Sequence, residues 1–385
     1  MGGMRRRVAA ACAAALLAGA LTACGGPSGA PVLTWYTNPD SGGQAEIARR
    51  CTDAAGGRYR IETAVLPREA SAQREQLVRR LAANDESIDI MSLDPPFIPE
   101  LAEASFLAPI PADVAHRLTK GVVASAVTGS TWDGRVVAIP FWANTQLLWY
   151  SRSVARAAGL DLSEPVTWDR LVRAAAQERT TIAVQGIRAE ALTVWVNALV
   201  TSAGGEIVKN PEAPPDQVQL GIADPPGVRA AQIVREIATS SVAGPALETR
   251  NEDTSATLFE NRTAAFMVNW PFVYPRAQAA VQDGTLQQSV LDDYGWTLYP
   301  AVDDGTPSRP PYGGINLGIG AFSRHRALAL QAVECIVGAE NQAYYFVTNG
   351  NPAALASVYD DPEVVKSFPM AATIRQSLEQ AASRP

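Results

Sequence analysis

The sequence is poor in the residues that most enzyme chemistry needs. Histidine occurs only as His116 and His325 in 385 residues, so a histidine-rich metal site or an imidazole relay has almost no material. Charge is sparse as well: charged residues make up 18%, with 39 acidic against 32 basic. That balance leaves no cationic field to hold a nucleic acid or an anionic membrane. No serine nucleophile elbow, P-loop, complete dinucleotide fingerprint, zinc spacing or EF-hand loop is present, and Gly318-Ile319-Gly320 is only a fragment of a glycine motif. The adjacent acids Asp292-Asp293, Asp303-Asp304 and Asp360-Asp361 sit in turn-rich stretches, where solvated loop tips are expected rather than the acid and base of a glycosidase. What is abundant is apolar matter, 47% of the chain, enough for the cores of two or three lobes and too much for a disordered protein.

The one strongly apolar run, Val8 to Leu21, is preceded by Arg5, Arg6 and Arg7 and is too short to cross a bilayer, which takes roughly 20 residues. It has the form of a signal peptide, 1–23. Its end, Leu21-Thr22-Ala23-Cys24, resembles the bacterial lipobox, which predicts lipidation of Cys24 and a glycine-rich tether over 24–30. Cleavage removes three basic residues and no acidic one, so the mature chain is more acidic than the full chain's −7. With Cys12 removed and Cys24 lipidated, Cys51 and Cys335 remain in an oxidising compartment, where they are expected to pair. Such a bridge puts an early and a late segment in the same lobe.

Along the chain, Val32 to Thr37 reads as a buried first strand that ends in the turn Asn38-Pro39-Asp40-Ser41-Gly42-Gly43. A helix at 44–55, a strand at 58–65, a helix at 72–83 and a strand at 88–93 follow. This β-α-β-α-β order predicts a parallel sheet whose ligand-binding rim carries Thr37 to Ser41 and Asp94. Further on, strands are expected at 147–150, 264–269, 295–299 and 313–319. Helices are expected after Thr167 as N-cap, at 189–203, at 226–240 with Asp224 as cap, at 254–261 and at 326–337. Two discontinuous α/β lobes joined by chain crossings accommodate this pattern.

Aromatic and amide residues cluster at the strand ends and crossings: Trp35-Tyr36, Trp142-Ala143-Asn144-Thr145-Gln146, Trp149-Tyr150, Asn269-Trp270-Pro271-Phe272 and Tyr312-Gly313-Gly314-Ile315-Asn316. Any one of these aromatics is more often core than ligand contact. As a set they suit a neutral polyol, with ring faces for its C–H surfaces and amides or carboxylates for its hydroxyls.

The lipobox, the first strand, Thr167-Trp168-Asp169 behind a proline, and the stretch from Phe259 to Phe272 together resemble the ABC-importer solute-binding proteins of the maltose-binding type, over nearly the whole mature chain. Asn144 to Tyr150, Val268 to Val273, Gly313 to Leu317 and Ile374-Arg375-Gln376 are similar, more narrowly, to the trehalose-binding lipoproteins of mycobacterial trehalose-recycling importers. The resemblance implies a periplasmic-binding-protein-like fold, with a first lobe of 31–141 plus 271–338 and a second of 142–270 plus 339–385. It places hinges near 141–144, 269–271 and 338–341. It implies a non-enzymatic, monomeric receptor without a cofactor, which captures a disaccharide, trehalose or a close analogue, and hands it to the permease subunits. The implied sugar contacts are Asp94, Asn144, Glu252, Trp270, Gly314 and Arg384. Asp94 and Glu252 would accept hydroxyl hydrogen bonds, Asn144 would donate and accept, Trp270 would floor a ring, Gly314 would admit close backbone approach, and Arg384 would offer a fork of donors. Relatives continue beyond the position of Arg384, so the second lobe is expected to be shortened and the arginine poorly fixed. Other readings are a binder of another sugar or a glycerophosphodiester, a secreted glycoside-active enzyme, and a structural envelope lipoprotein.

Overall fold

The β-branched and aromatic run V-L-T-W-Y-T forms strand β1 (Val32–Thr37), buried on both faces, with Leu33 and Trp35 in one core and Tyr36 in another. The computed structural model describes residues 29–385. The signal peptide, Cys12, the lipidation of Cys24 and most of the tether lie outside the described residues. After β1 come the helix Gly43–Ala54, β2 (Arg60–Val65), the helix Ala70–Ala82 and β3 (Ile90–Leu93). β1 pairs in parallel with both β2 and β3, as the alternating order demands. The small hairpin β4 (Thr131–Trp132) and β5 (Arg135–Val136) leads into β6 (Ile139–Thr145), and only Gln146 separates β6 from β7 (Leu147–Ser151). The remaining strands are β8 (Thr181–Ala183), β9 (Ala264–Asn269), β10 (Tyr294–Thr297) and β11 (Tyr312–Ile319).

These strands make two main sheets: a five-stranded one in the order β2-β1-β3-β11-β6 and a four-stranded one in the order β10-β7-β9-β8. The chain therefore changes sheets at Gln146 and again between Thr297 and Tyr312. Several segments depart from the expected lobe bounds, beginning with 142–145, expected in the second lobe, which belong to β6 of the first sheet. The strand at 294–297, inside the stretch 271–338 expected in the first lobe, hydrogen-bonds to β7 of the second sheet. Trp270 is accordingly followed by a return to that sheet, so 269–271 is not a change of sheet. The helices beyond 338, expected in the second lobe, pack across both: Tyr345 joins the core of the first sheet, whereas Phe346, Ile374 and Leu378 share one core with Ala143 and Tyr312 of the first sheet and Leu147, Trp149 and Met267 of the second.

Cys51 and Cys335 form a disulfide across a sequence separation of 284. It ties the helix Gly43–Ala54 to the helix Arg326–Ile336, both packed in the core of the first sheet. In the second lobe, the helix Trp168–Gln177 starts where Thr167 Oγ1 accepts from Arg170 N at 3.4 Å, as expected. The helix Pro225–Ala238 starts at Asp224 without a side-chain cap, because the Asp224 carboxylate pairs with Lys209 Nζ at 2.5 Å instead.

Candidate ligand cleft between the lobes

Strand register assembles the site. In the first sheet β11 sets Gly313 opposite Asn144 and Gly314 opposite Ala143 on β6, and Asn316 opposite Leu93 on β3. Asp94, the residue after Leu93, thus shares a rim with Asn144 and the two glycines. In the second sheet Leu147 pairs with Asn269, so Trp270 emerges beside the first crossing. The Trp270 ring lies over Gly313, where a Cβ would stand 3.1 Å from two of its carbons. Gly314 has φ +117°, and a Cβ there would meet the Trp142 carbonyl oxygen at 2.3 Å. Its glycine is thus required by the close approach of β6 within the sheet, independently of any ligand.

All six residues taken from the resemblance line one cavity of about 630 Å³, within the roughly 300–1,000 Å³ usual for small-molecule sites. Trp142, Phe272 and Tyr345 add further aromatic wall. The other prominent aromatics are core: Trp35, Trp149 and Tyr312 are at most 1% exposed. Five carboxylates, those of Asp40, Glu69, Asp94, Glu190 and Glu252, face two arginines, Arg68 and Arg384.

Arg384 is firmly held, contrary to expectation. Its side chain is 4% exposed, and Nη2 lies 3.0 Å from Asp94 Oδ1 and 2.7 Å from Glu190 Oε1. The backbone before it is tied down too: Ala382 N donates to the Pro310 carbonyl, the Ala382 carbonyl accepts from Tyr312 N, and Ser383 O accepts from Asn197 Nδ2. Burial pushes the Asp94 carboxyl up to about 6; the Arg384 charge opposes that shift and Glu190 adds to it. Glu252 opens the helix Glu252–Glu260, whose cap is Asn251: Oδ1 accepts from Thr254 N at 2.9 Å. Burial raises the Glu252 carboxyl, while its own backbone N–H and the Trp270 side chain pull it down. Asn269 braces the pair, donating from Nδ2 to the Glu252 carbonyl and accepting the Trp270 N–H at Oδ1, each at 2.9 Å. Asn144 accepts from Thr145 N at 3.0 Å through Oδ1, which fixes the amide plane.

Sequence reasoning missed Glu190, Arg68, Glu69 and Gln73 on the cavity wall. For Glu190 the only signal was its place at the start of a foreseen helix. Among the described residues no group of three or more His, Cys, Asp or Glu side chains is arranged to hold a metal ion.

A cleft between two discontinuous α/β lobes, walled by acceptors and aromatic faces, defines a receptor with a periplasmic-binding-protein-like fold. The chain belongs to the bacterial extracellular solute-binding protein family, whose match spans residues 61–343. It is a binding protein and not an enzyme, and the family is an exported one. No helix among the described residues is long and apolar enough to cross a membrane. A probable ABC transporter-binding protein of Deinococcus radiodurans is 23% identical over 335 residues, covering 84% of this chain and 76% of that protein. Among solved structures, maltose-bound MalE3 of T. maritima aligns with a TM-score of 0.76 at 23% identity, over 92% of this chain and 90% of that one. The GacH receptor of Streptomyces glaucescens, solved unliganded and with acarbose, aligns with a TM-score of 0.74 at 18% identity, over 92% and 88%.

Proposed function

We propose that the protein is the receptor of an ABC sugar importer, tethered by lipid at Cys24, which captures a disaccharide, trehalose or a close analogue, and delivers it to the permease. The observation that carries this reading is the convergence of Asp94, Asn144, Glu252, Trp270, Gly314 and Arg384 on one cavity, although they come from distant parts of the chain. Carboxylates and an amide match hydroxyl donors and acceptors, the Trp270 face matches a pyranose face, and the Arg384 fork supplies donors. The family and the maltose- and acarbose-bound relatives support a sugar. The excess of carboxylates over arginines in the cleft disfavours a phosphodiester.

Contacts that exist only when both lobes close on the sugar drive the closure. Calorimetry of the unlipidated protein starting at Gly25, with trehalose, maltose, sucrose and glycerophosphocholine, tests this. One-to-one heat with trehalose and recovery of intact sugar is expected. Saturable binding of glycerophosphocholine alone would replace the disaccharide with a phosphodiester.

A further inference from the structure

Asp94 follows β3 of the first sheet, whereas Glu190 opens the helix Glu190–Ser202, whose Trp195, Ala198 and Leu199 pack in the core of the second sheet. Their carboxylates are joined through a single atom, Arg384 Nη2, at 3.0 and 2.7 Å. Nη2 donates a hydrogen bond to Asp94 Oδ1 and stands in ion-pair contact with Glu190 Oε1, so one atom touches both lobes. The neighbouring Ser383 carbonyl is held by Asn197, on the same helix as Glu190. Nε and Nη1 of Arg384 make no protein hydrogen bond among the described residues, in a side chain that lines the cavity.

One contact leaves a long arginine side chain free to swivel; a second, from a different direction, sets the plane of its fork. We propose that Glu190 is a positioning residue for ligand capture: from the second lobe its carboxylate pairs with Arg384 Nη2 while Asp94 accepts a hydrogen bond from the same nitrogen on the first, so that the remaining guanidinium donors are aimed at the ligand only when the lobes are together. The consequence for the ligand rests on the disaccharide reading. The ionic arrangement does not, and it can be read without any sugar.

The test uses Glu190→Gln, which keeps size and removes charge at a half-exposed position, together with Glu190→Asp and Arg384→Gln. Trehalose affinity is expected to fall about tenfold in Glu190→Gln, the scale of one lost charge-assisted contact, and to recover in part in Glu190→Asp. In ligand-free protein, ¹³C titration of the Asp94 carboxyl reports the same network. The groups facing Asp94 are Arg384, Glu190 and the Tyr312 phenol, and Glu190 also faces Glu252. The Asp94 midpoint is expected near 6 in the wild type, lower in Glu190→Gln, where a like charge is gone, and higher in Arg384→Gln, where the opposite charge is gone. An Asp94 midpoint unmoved by Glu190→Gln, or an affinity within about twofold of wild type, overturns the proposal. If the wild type takes up no trehalose, the disaccharide reading fails and the ligand-free titration alone decides the role of Glu190.

Discussion

The two walls of the cleft are built by different means. On the first lobe, Asn144, Gly313 and Gly314 sit on hydrogen-bonded strands and Asp94 directly follows one, so sheet register fixes their spacing. On the second lobe, Glu190 and Glu252 open helices, and Trp270 leaves the end of β9 braced by Asn269. Acids in the first turn of a helix are favoured by the orphan N–H groups there. Asp94 has no such support: it precedes Pro95 and Pro96, which offer no N–H, and among the described residues its one hydrogen bond from a side chain comes from Arg384. The strand-built wall is therefore spaced by sheet register and leaves its carboxylate without local N–H support, whereas the helix-built wall places its carboxylates at helix starts.

The largest expected effect falls on the strand-built wall. Gly314→Ala should lower stability by about 3 kcal/mol or more, since strain at positive φ adds to a backbone clash, and thermal unfolding will show it. Loss of the Cys51–Cys335 bridge should cost about 2–5 kcal/mol, and hydrogen exchange should rise in the first-lobe helices that carry the cysteines before it rises in the second sheet. A uniform rise in both would erase the contrast between the lobes.

On the helix-built wall, Trp270→Ala should weaken trehalose binding about 100-fold, as truncation of a buried aromatic anchor does, with only a small change in melting temperature. A melting temperature that collapses together with affinity would make Trp270 a core residue instead.

The subtlest test concerns Asp94. Its carboxyl is raised to about 6 in the folded protein, above the value of about 3.9 in an unfolded chain. Its charged form therefore works against folding, a burden that is relieved as pH falls through about 6. Asp94→Asn also takes a partner from the buried Arg384, so the readout is the pH dependence: any advantage of the variant over wild type should be larger at pH 7.5 than at pH 5. An advantage that grows on acidification would reverse the sign of this account.

The same division explains how much could be read from the sequence. β1 and β9 have the limits expected of them, 32–37 and 264–269, because β-branched and aromatic runs bounded by turn residues carry a local signal. β8 has only three residues, Thr181–Ala183, too few for a period to show. The six candidate residues that share the cavity come from family likeness. Local pattern alone had marked Trp35 and Trp149 as strongly as Trp142 and Trp270, and only tertiary packing sorts core from cleft. The firm hold on Arg384 was invisible for the same reason: its partners lie 290 residues away, at Asp94, and on a helix whose first residue gave no sign of its direction.

The most direct test of the central claim is a crystal structure of the protein with trehalose. The account expects one disaccharide between the lobes, a pyranose ring over Trp270, and hydroxyls hydrogen-bonded to Asp94, Asn144 and Glu252. A sugar bound elsewhere on the molecule, or a cleft that stays empty beside saturating trehalose, would contradict it.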